Sequence, residues 1–226
     1  GNGFIAEVIR TNRIKSATIK VEDGIVSVVV PKQLTGDRIE RLLSDKQNWI
    51  KDKIRHDRKA LPATQKQYIS GEAFPYLGRN YRLKINDGGY VPVKLVHGRL
   101  MTTMPGGFNH YMVRNTLVRW YKRHAEIKFN EKVKRYSELI GVKPAGVAIK
   151  DFKARWGSCS AEGKIDFNWK VIMAPNRIVD YVVVHELCHL KQYDHSPLFW
   201  AEVERVLPDY RDSKEWLKVN GLRLEL

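Results

Sequence analysis

The chain reads as an α+β protein, with a β-rich amino-terminal region (residues 1–106) carrying one helix and a helix-plus-sheet region (residues 107–226) after it. Three observations predict this. Short alternating or β-branched runs separated by turn residues fill the first half. A stretch from Tyr111 to Leu139 reads as one long helix. Between the two, Pro105-Gly106-Gly107 breaks the chain and marks the division.

The elements follow in order. Phe4–Ile9, Ser16–Val21 and Ile25–Val30 cluster or alternate β-branched residues, with Glu22-Asp23-Gly24 as a hairpin turn. Asp37 to Lys59 places Ile39, Leu42, Leu43, Trp49, Ile50 and Ile54 at helical spacing and predicts a single helix. Strands follow at Phe74–Tyr76, Tyr81–Ile85 and Val91–Val96, with turns at Leu77-Gly78-Arg79-Asn80 and Asn86-Asp87-Gly88-Gly89. Beyond the long helix, Val147–Arg155 and Lys164–Trp169 read as two strands joined by the turn Ser160-Ala161-Glu162-Gly163. Asn176 is placed to cap a helix that runs to about Leu190, and Asp180 falls in that helix as an early carboxylate facing its dipole. Ser196-Pro197 opens another helix, with the serine as N-cap and the proline in the first turn.

The segment His185-Glu186-Leu187-Cys188-His189 carries the chemistry. Two histidines four apart project from one helix face, as two ligands of one metal ion require. Glu186 sits where it can take a proton from a metal-activated water. Residues 178–190 are otherwise apolar on nearly every face, so polar groups there need partners that a metal supplies. The bland alternative is a pair of core histidines bonded to backbone carbonyls. Catalytic zinc sites use three protein ligands and keep a fourth position open. His195, five residues after His189, is the leading third ligand; Glu202 and Glu204 on the next helix are rivals. The gap matches that of H-E-x-x-H-x-x-G-x-x-H proteases, but Gln192 stands where those turn at glycine, which shifts the expected turn to Tyr193-Asp194. Asp194 and Asp209 are candidates to orient a ligand imidazole. Tyr193, Tyr210 and Arg155 are candidates to steady a reacting carbonyl.

The run Arg155-Trp156-Gly157-Ser158-Cys159-Ser160, then Asn168-Trp169, Ala174-Pro175, Val183 to Leu190, His195-Ser196 and Phe199-Trp200 resembles the YgjP-like metallopeptidases, compact zincin relatives of the SprT-like and WLM proteases. The match in order and spacing spans about residues 151–220. It implies a zincin-like catalytic region that hydrolyses peptide bonds, one Zn²⁺ on His185, His189 and His195, and Glu186 as general base. It implies no particular peptide or protein substrate. Arg155–Ser160 is the candidate rim on which an extended substrate lies; the alternative is architectural, with Trp156 packing, Gly157 turning and Arg155 paired to a carboxylate.

Composition bounds the remaining classes. Hydrophobic residues make up 43% of 226 and charged residues 29%, a balance typical of water-soluble globular chains, and no run approaches a membrane span. Cys159 and Cys188 make no disulfide framework, and Cys188 reads as a small apolar filler; a cytoplasmic setting is expected. The formal charge is +15, and all of the excess lies before residue 151. Its densest part is the long helix, where Arg119, Lys122, Arg123, Lys128, Lys132, Lys134 and Arg135 interleave with Trp120, Tyr121, Phe129 and Tyr136. That pattern suits a polyanion, so nucleic acid at residues 110–135 is the second functional reading, alone or joined to peptidase activity. A solvated helix face with inward aromatics is the competing one. A third reading is a structural zinc fold without turnover, against which Glu186 argues.

Overall fold

The β-branched runs at the amino terminus fold as a small sheet in which the valine-rich strand is central. A computed structural model of the chain describes residue 4 and residues 6–12, 16–22, 25–59 and 66–226. By internal packing it divides into two compact units, residues 1–64 and 65–226.

In the first unit, β1 (Ala6–Thr11) runs parallel and β2 (Thr18–Glu22) antiparallel to the central β3 (Ile25–Pro31). Val26, Val28 and Val30 alternate inward on β3 and form a core with Val21, Ile39, Leu43 and Ile50. The hairpin turn expected at Glu22-Asp23-Gly24 falls on Asp23 and Gly24, outside the described residues. The single helix expected over 37–59 is two, α1 (Gly36–Asp45) and α2 (Gln47–Lys59), broken at Lys46 with φ −100° and ψ 8°. The break falls in the polar run Ser44-Asp45-Lys46-Gln47-Asn48, where short polar side chains compete with helical backbone bonds. Trp49, expected on the apolar face, stands exposed.

The second unit opens with a four-stranded sheet, β4 (Ala73–Tyr76), β5 (Arg79–Asp87), β6 (Val91–Val96) and β7 (Arg99–Met104), in the order β4-β5-β7-β6. The sequence reading did not anticipate β7, although Leu100, Thr102 and Met104 alternate inward. Leu77-Gly78 joins β4 to β5 with positive φ at both residues, a two-residue hairpin turn. Arg79 and Asn80, expected in that turn, pair with Tyr76 and Pro75 instead. Next comes α3 (His110–Ile140). The Asn109 side chain caps it by accepting the Met112 amide at 3.0 Å, and the left-handed Gly141 ends it.

A second small sheet follows, with β10 (Lys164–Asn168) central between β8 (Gly146–Lys150) and β9 (Gly157–Cys159). The Ser160–Gly163 turn joins β9 to β10; β8, expected to pair through that turn and to run to Arg155, ends at Lys150 and lies parallel to β10. A 3-10 segment (Trp169–Met173) then leads to α4 (Asn176–Cys188), α5 (Pro197–Val206) and α6 (Tyr210–Asn220). Phe74, Leu83, Leu100 and Met104 share one core with the inward faces of α3 and α4, so the boundary expected near Gly106 lies inside the second unit. The Tyr121 hydroxyl donates to the Pro75 carbonyl at 2.7 Å, and the Leu77 amide to the Ile172 carbonyl at 2.8 Å. A β-carbon on Gly78 would stand 2.8 Å from the Pro175 α-carbon, so the hairpin tip abuts the start of α4. No described helix is long and apolar enough to cross a membrane.

Candidate metal centre

Helix α4 is buried over almost its whole surface, as its unbroken apolar run requires. Pro175, not Asn176, occupies the N-cap position, and no side chain caps it. The Asn176 amide turns to Asp180 instead, donating to its Oδ2 at 3.3 Å. Asp180 is not a dipole carboxylate: its Oδ1 accepts from Lys132 Nζ at 2.5 Å, a nearly buried ion pair that ties α4 to α3. Cys188 is fully buried, and burial pushes its thiol up to about 12, so it is an inert filler.

The helix ends at Cys188, but His189 keeps α-helical dihedrals (φ −63°, ψ −19°), so the four-residue spacing still stacks the two histidines on one face. A bend at Tyr193-Asp194 then returns the chain, and the positive-φ residues of the protein lie elsewhere, so Gln192 needs no glycine conformation. His185, His189 and His195 thereby bring one ring nitrogen each within 4.8 Å of one another, a set that could hold a metal ion. Nε2 of His185 and Nε2 of His195 stand 3.1 Å apart. Two nitrogens bound tetrahedrally to one zinc at 2.0–2.1 Å lie about 3.3 Å apart, so the spacing fits.

The surroundings fix these rings. His189 Nδ1 lies 3.0 Å from the Gln192 carbonyl, the partner that keeps Nε2 of that ring free for a ligand. Neither Asp194 nor Asp209 takes this role; Asp194 accepts from the Ser196 amide. Ser196 caps α5 by accepting from the Phe199 amide, and Phe199 stacks on His189 with ring centres 4.5 Å apart. Trp200 stacks on His195 at 5.5 Å and on Tyr210 at 5.3 Å. Burial, and then the charges of His189, His195 and Lys214, holds His185 at about 3, so its imidazole is neutral. Nδ1 of His185 is buried without a hydrogen-bond partner. Glu202 is engaged elsewhere, with Lys191 at 2.7 Å and Arg205 at 2.8 Å, and Glu204 faces Arg211 at 3.4 Å.

Glu186 lies 7% exposed against strand β9. A β-carbon on Gly157 would stand 2.6 Å from its Oε1, so only glycine lets that strand pass so close. Asn168 sets the approach: its side-chain amide donates to the carbonyls of Phe152 (2.9 Å) and Arg155 (3.0 Å), shaping the loop that enters β9. Burial pushes Glu186 up to about 8, opposed by the charge of Arg155, whose guanidinium lies over the Phe152 ring. Beside Glu186 and His185 opens a cavity of about 350 Å³ walled by Trp156, Gly157, Tyr181, Leu217, Lys214 and Lys218. Tyr193, Tyr210 and Arg155 do not line it; Tyr193 is exposed and Tyr210 is buried under Trp200. The sequence reading missed Tyr181, Lys214 and Lys218. Tyr181 was within reach, four residues before His185 on the same face, whereas no local signal places α6 at the site.

The basic helix presents a different picture. Trp120, Tyr121, Phe129 and Tyr136 all face the core, so neither Trp120 nor Tyr121 is free to stack on a single strand. Lys122, Lys128 and Lys132 lie within 4 Å of Asp151, Glu131 and Asp180.

The family model of the YgjP-like metallopeptidase domain matches residues 15–220, and the chain belongs to that family. Among solved structures, the crystal structure of the metallopeptidase zymogen of Pyrococcus abyssi abylysin is similar, with 30% identity over 38% of this chain and 86% of that one, and a TM-score of 0.35. A search of curated proteins gave no match.

Proposed function

We propose that this protein is a zinc-dependent peptidase in which His185, His189 and His195 hold one zinc ion and Glu186 is the general base. The observation that carries the reading is the meeting of three imidazole nitrogens, one of them on His185, which lines a cavity together with the buried Glu186 carboxylate. Neutral imidazoles suit zinc, and the approach of His185 Nε2 to His195 Nε2 at 3.1 Å suits a shared cation. When bound, the ion supplies Lewis acidity, polarising a carbonyl and acidifying water.

The remaining work belongs to the chain. Glu186 takes the proton from the attacking water as its oxygen bonds to the scissile carbon. It returns that proton to the amine nitrogen as the carbon–nitrogen bond breaks. Its burial favours the protonated form between the two steps, and a dication nearby would favour the ionised form needed at the start. Among the described residues strand β9 pairs with β10 alone, so its second edge can bond the backbone of an extended substrate with little sequence selection.

Purified protein is expected to hold about one zinc per chain. His185→Ala and His189→Ala should abolish retention. His195→Ala should weaken it more than Glu202→Ala, measured by elemental analysis after dialysis. A Glu202 variant that loses more zinc than the His195 variant contradicts the ligand assignment.

A further inference from the structure

The cavity beside Glu186 carries an electrostatic bias that general peptide hydrolysis does not require. Among the side chains that wall it, Glu186 is the one acid, while Lys214 and Lys218 supply two cations. They sit four apart on α6 and so share a face, with the buried Leu217 beside them. Lys214 has no carboxylate partner among the described residues; its ammonium rests 4.0 Å over the Trp200 ring. That ring is itself held between His195 and Tyr210, so the charge is placed in advance of any ligand. Among the described residues Lys218 has only an exposed contact with Glu215 at 3.5 Å, too weak to satisfy it. Trp156, Val182 and Leu217 give the same cavity an apolar wall.

An apolar wall under two exposed ammonium groups that no buried carboxylate neutralises fits a short hydrocarbon stem that ends in a carboxylate. We infer that Lys214 and Lys218 form a carboxylate-binding subsite, which directs the enzyme to peptides with an acidic group next to the scissile bond. The inference rests on the peptidase reading and names its substrate class. The carboxylate can come from an Asp or Glu side chain or from the end of a peptide chain. The two share one chemistry and differ in where cleavage falls.

The test is peptide binding to the zinc-loaded Glu186→Gln protein, read by fluorescence anisotropy, so that it does not depend on turnover. Three labelled peptides of one length are compared: an end-amidated peptide with a central Glu, the same peptide with Lys in its place, and a neutral peptide with a free carboxyl end. The Glu peptide should bind about tenfold more tightly than the Lys peptide, as a charge-assisted hydrogen bond provides. Lys214→Glu/Lys218→Glu should reverse that order while zinc content holds, and Lys214→Arg/Lys218→Arg should keep it. A merely structural pair of lysines would not reverse a preference. If the free-ended neutral peptide binds as tightly as the Glu peptide, the chain terminus is the natural carboxylate and the subsite stands. Equal binding of the Glu and Lys peptides, or a preference that survives charge reversal, overturns the subsite. Casein cleavage by the wild-type enzyme, assayed beside it, reports separately on the peptidase reading.

Discussion

Helices α3 and α4 carry the two loudest signals in this chain, and they differ in what surrounds them. On α3 most of the apolar and aromatic residues face inward, Tyr111, Met112, Ile127 and Leu139 stand exposed, and several of its lysines already have acidic neighbours. On α4 nearly every residue is buried, yet two histidines and a glutamate lie within it or at its end. A charge on an amphipathic helix has water as its default partner, so it needs no ligand to explain it. A polar group on a helix buried all round has no such default. The contrast makes α4 the informative helix.

The point where the two helices meet should break first. Lys132 and Asp180 are only 12% and 13% exposed, so Lys132→Met leaves a buried carboxylate without its cation and should lower stability by about 3–5 kcal/mol. Lys128, on the outer face of α3 and paired with the exposed Glu131, should give less than about 1 kcal/mol on mutation to Ala. Urea melts of both variants check the difference. Equal losses would mean that burial does not set the value of a charge here.

Next in size is an effect on the site alone. Gly157→Ala puts a methyl group against the Glu186 carboxylate, where backbone and carboxylate cannot both stay in place. Peptidase activity should fall on the order of 100-fold, as displacement of about 1 Å does, with zinc retained. Gly89→Ala, where a β-carbon meets nothing within 4 Å, is the control.

A smaller effect should come from pH. Burial first, and then the charge of Asp180, pushes the Tyr136 hydroxyl up to about 12 from its usual 10, and burial pushes Tyr121 higher still. A raised folded pKa means that stability is fully present below pH 10 and declines as pH rises through the folded value. Urea midpoints should therefore drop between pH 10 and 12, on top of an earlier decline that the raised Cys188 thiol starts near its usual 9. Tyr136→Phe should lessen the drop.

Much of the site was legible because its residues are close in sequence. His185, Glu186 and His189 follow from one helical turn, and His195 from a short return whose Ser196-Pro197 start was readable. Even the missing glycine at Gln192 proved immaterial, since the bend at Tyr193-Asp194 needs no positive φ. What escaped depends on distant parts of the chain. The cavity wall on α6 and the sheet edge at β9 are set by tertiary packing, which periodicity does not encode. The expected division at Gly106 followed a local break, whereas Phe74 and Leu100 pack into the same core as α3. The interruption at Lys46 shows the same limit, since apolar spacing continued across it while the backbone did not.

The central claim is that α4 carries a working base beside its metal ligands, and Glu186→Gln tests it most directly. Zinc content and casein cleavage should be measured on the same preparation. The account predicts about one zinc per chain, as in the wild type, with cleavage reduced on the order of 100-fold or more. Loss of zinc would make Glu186 a ligand or a folding residue, and undiminished cleavage would remove it from the chemistry; either result contradicts the account.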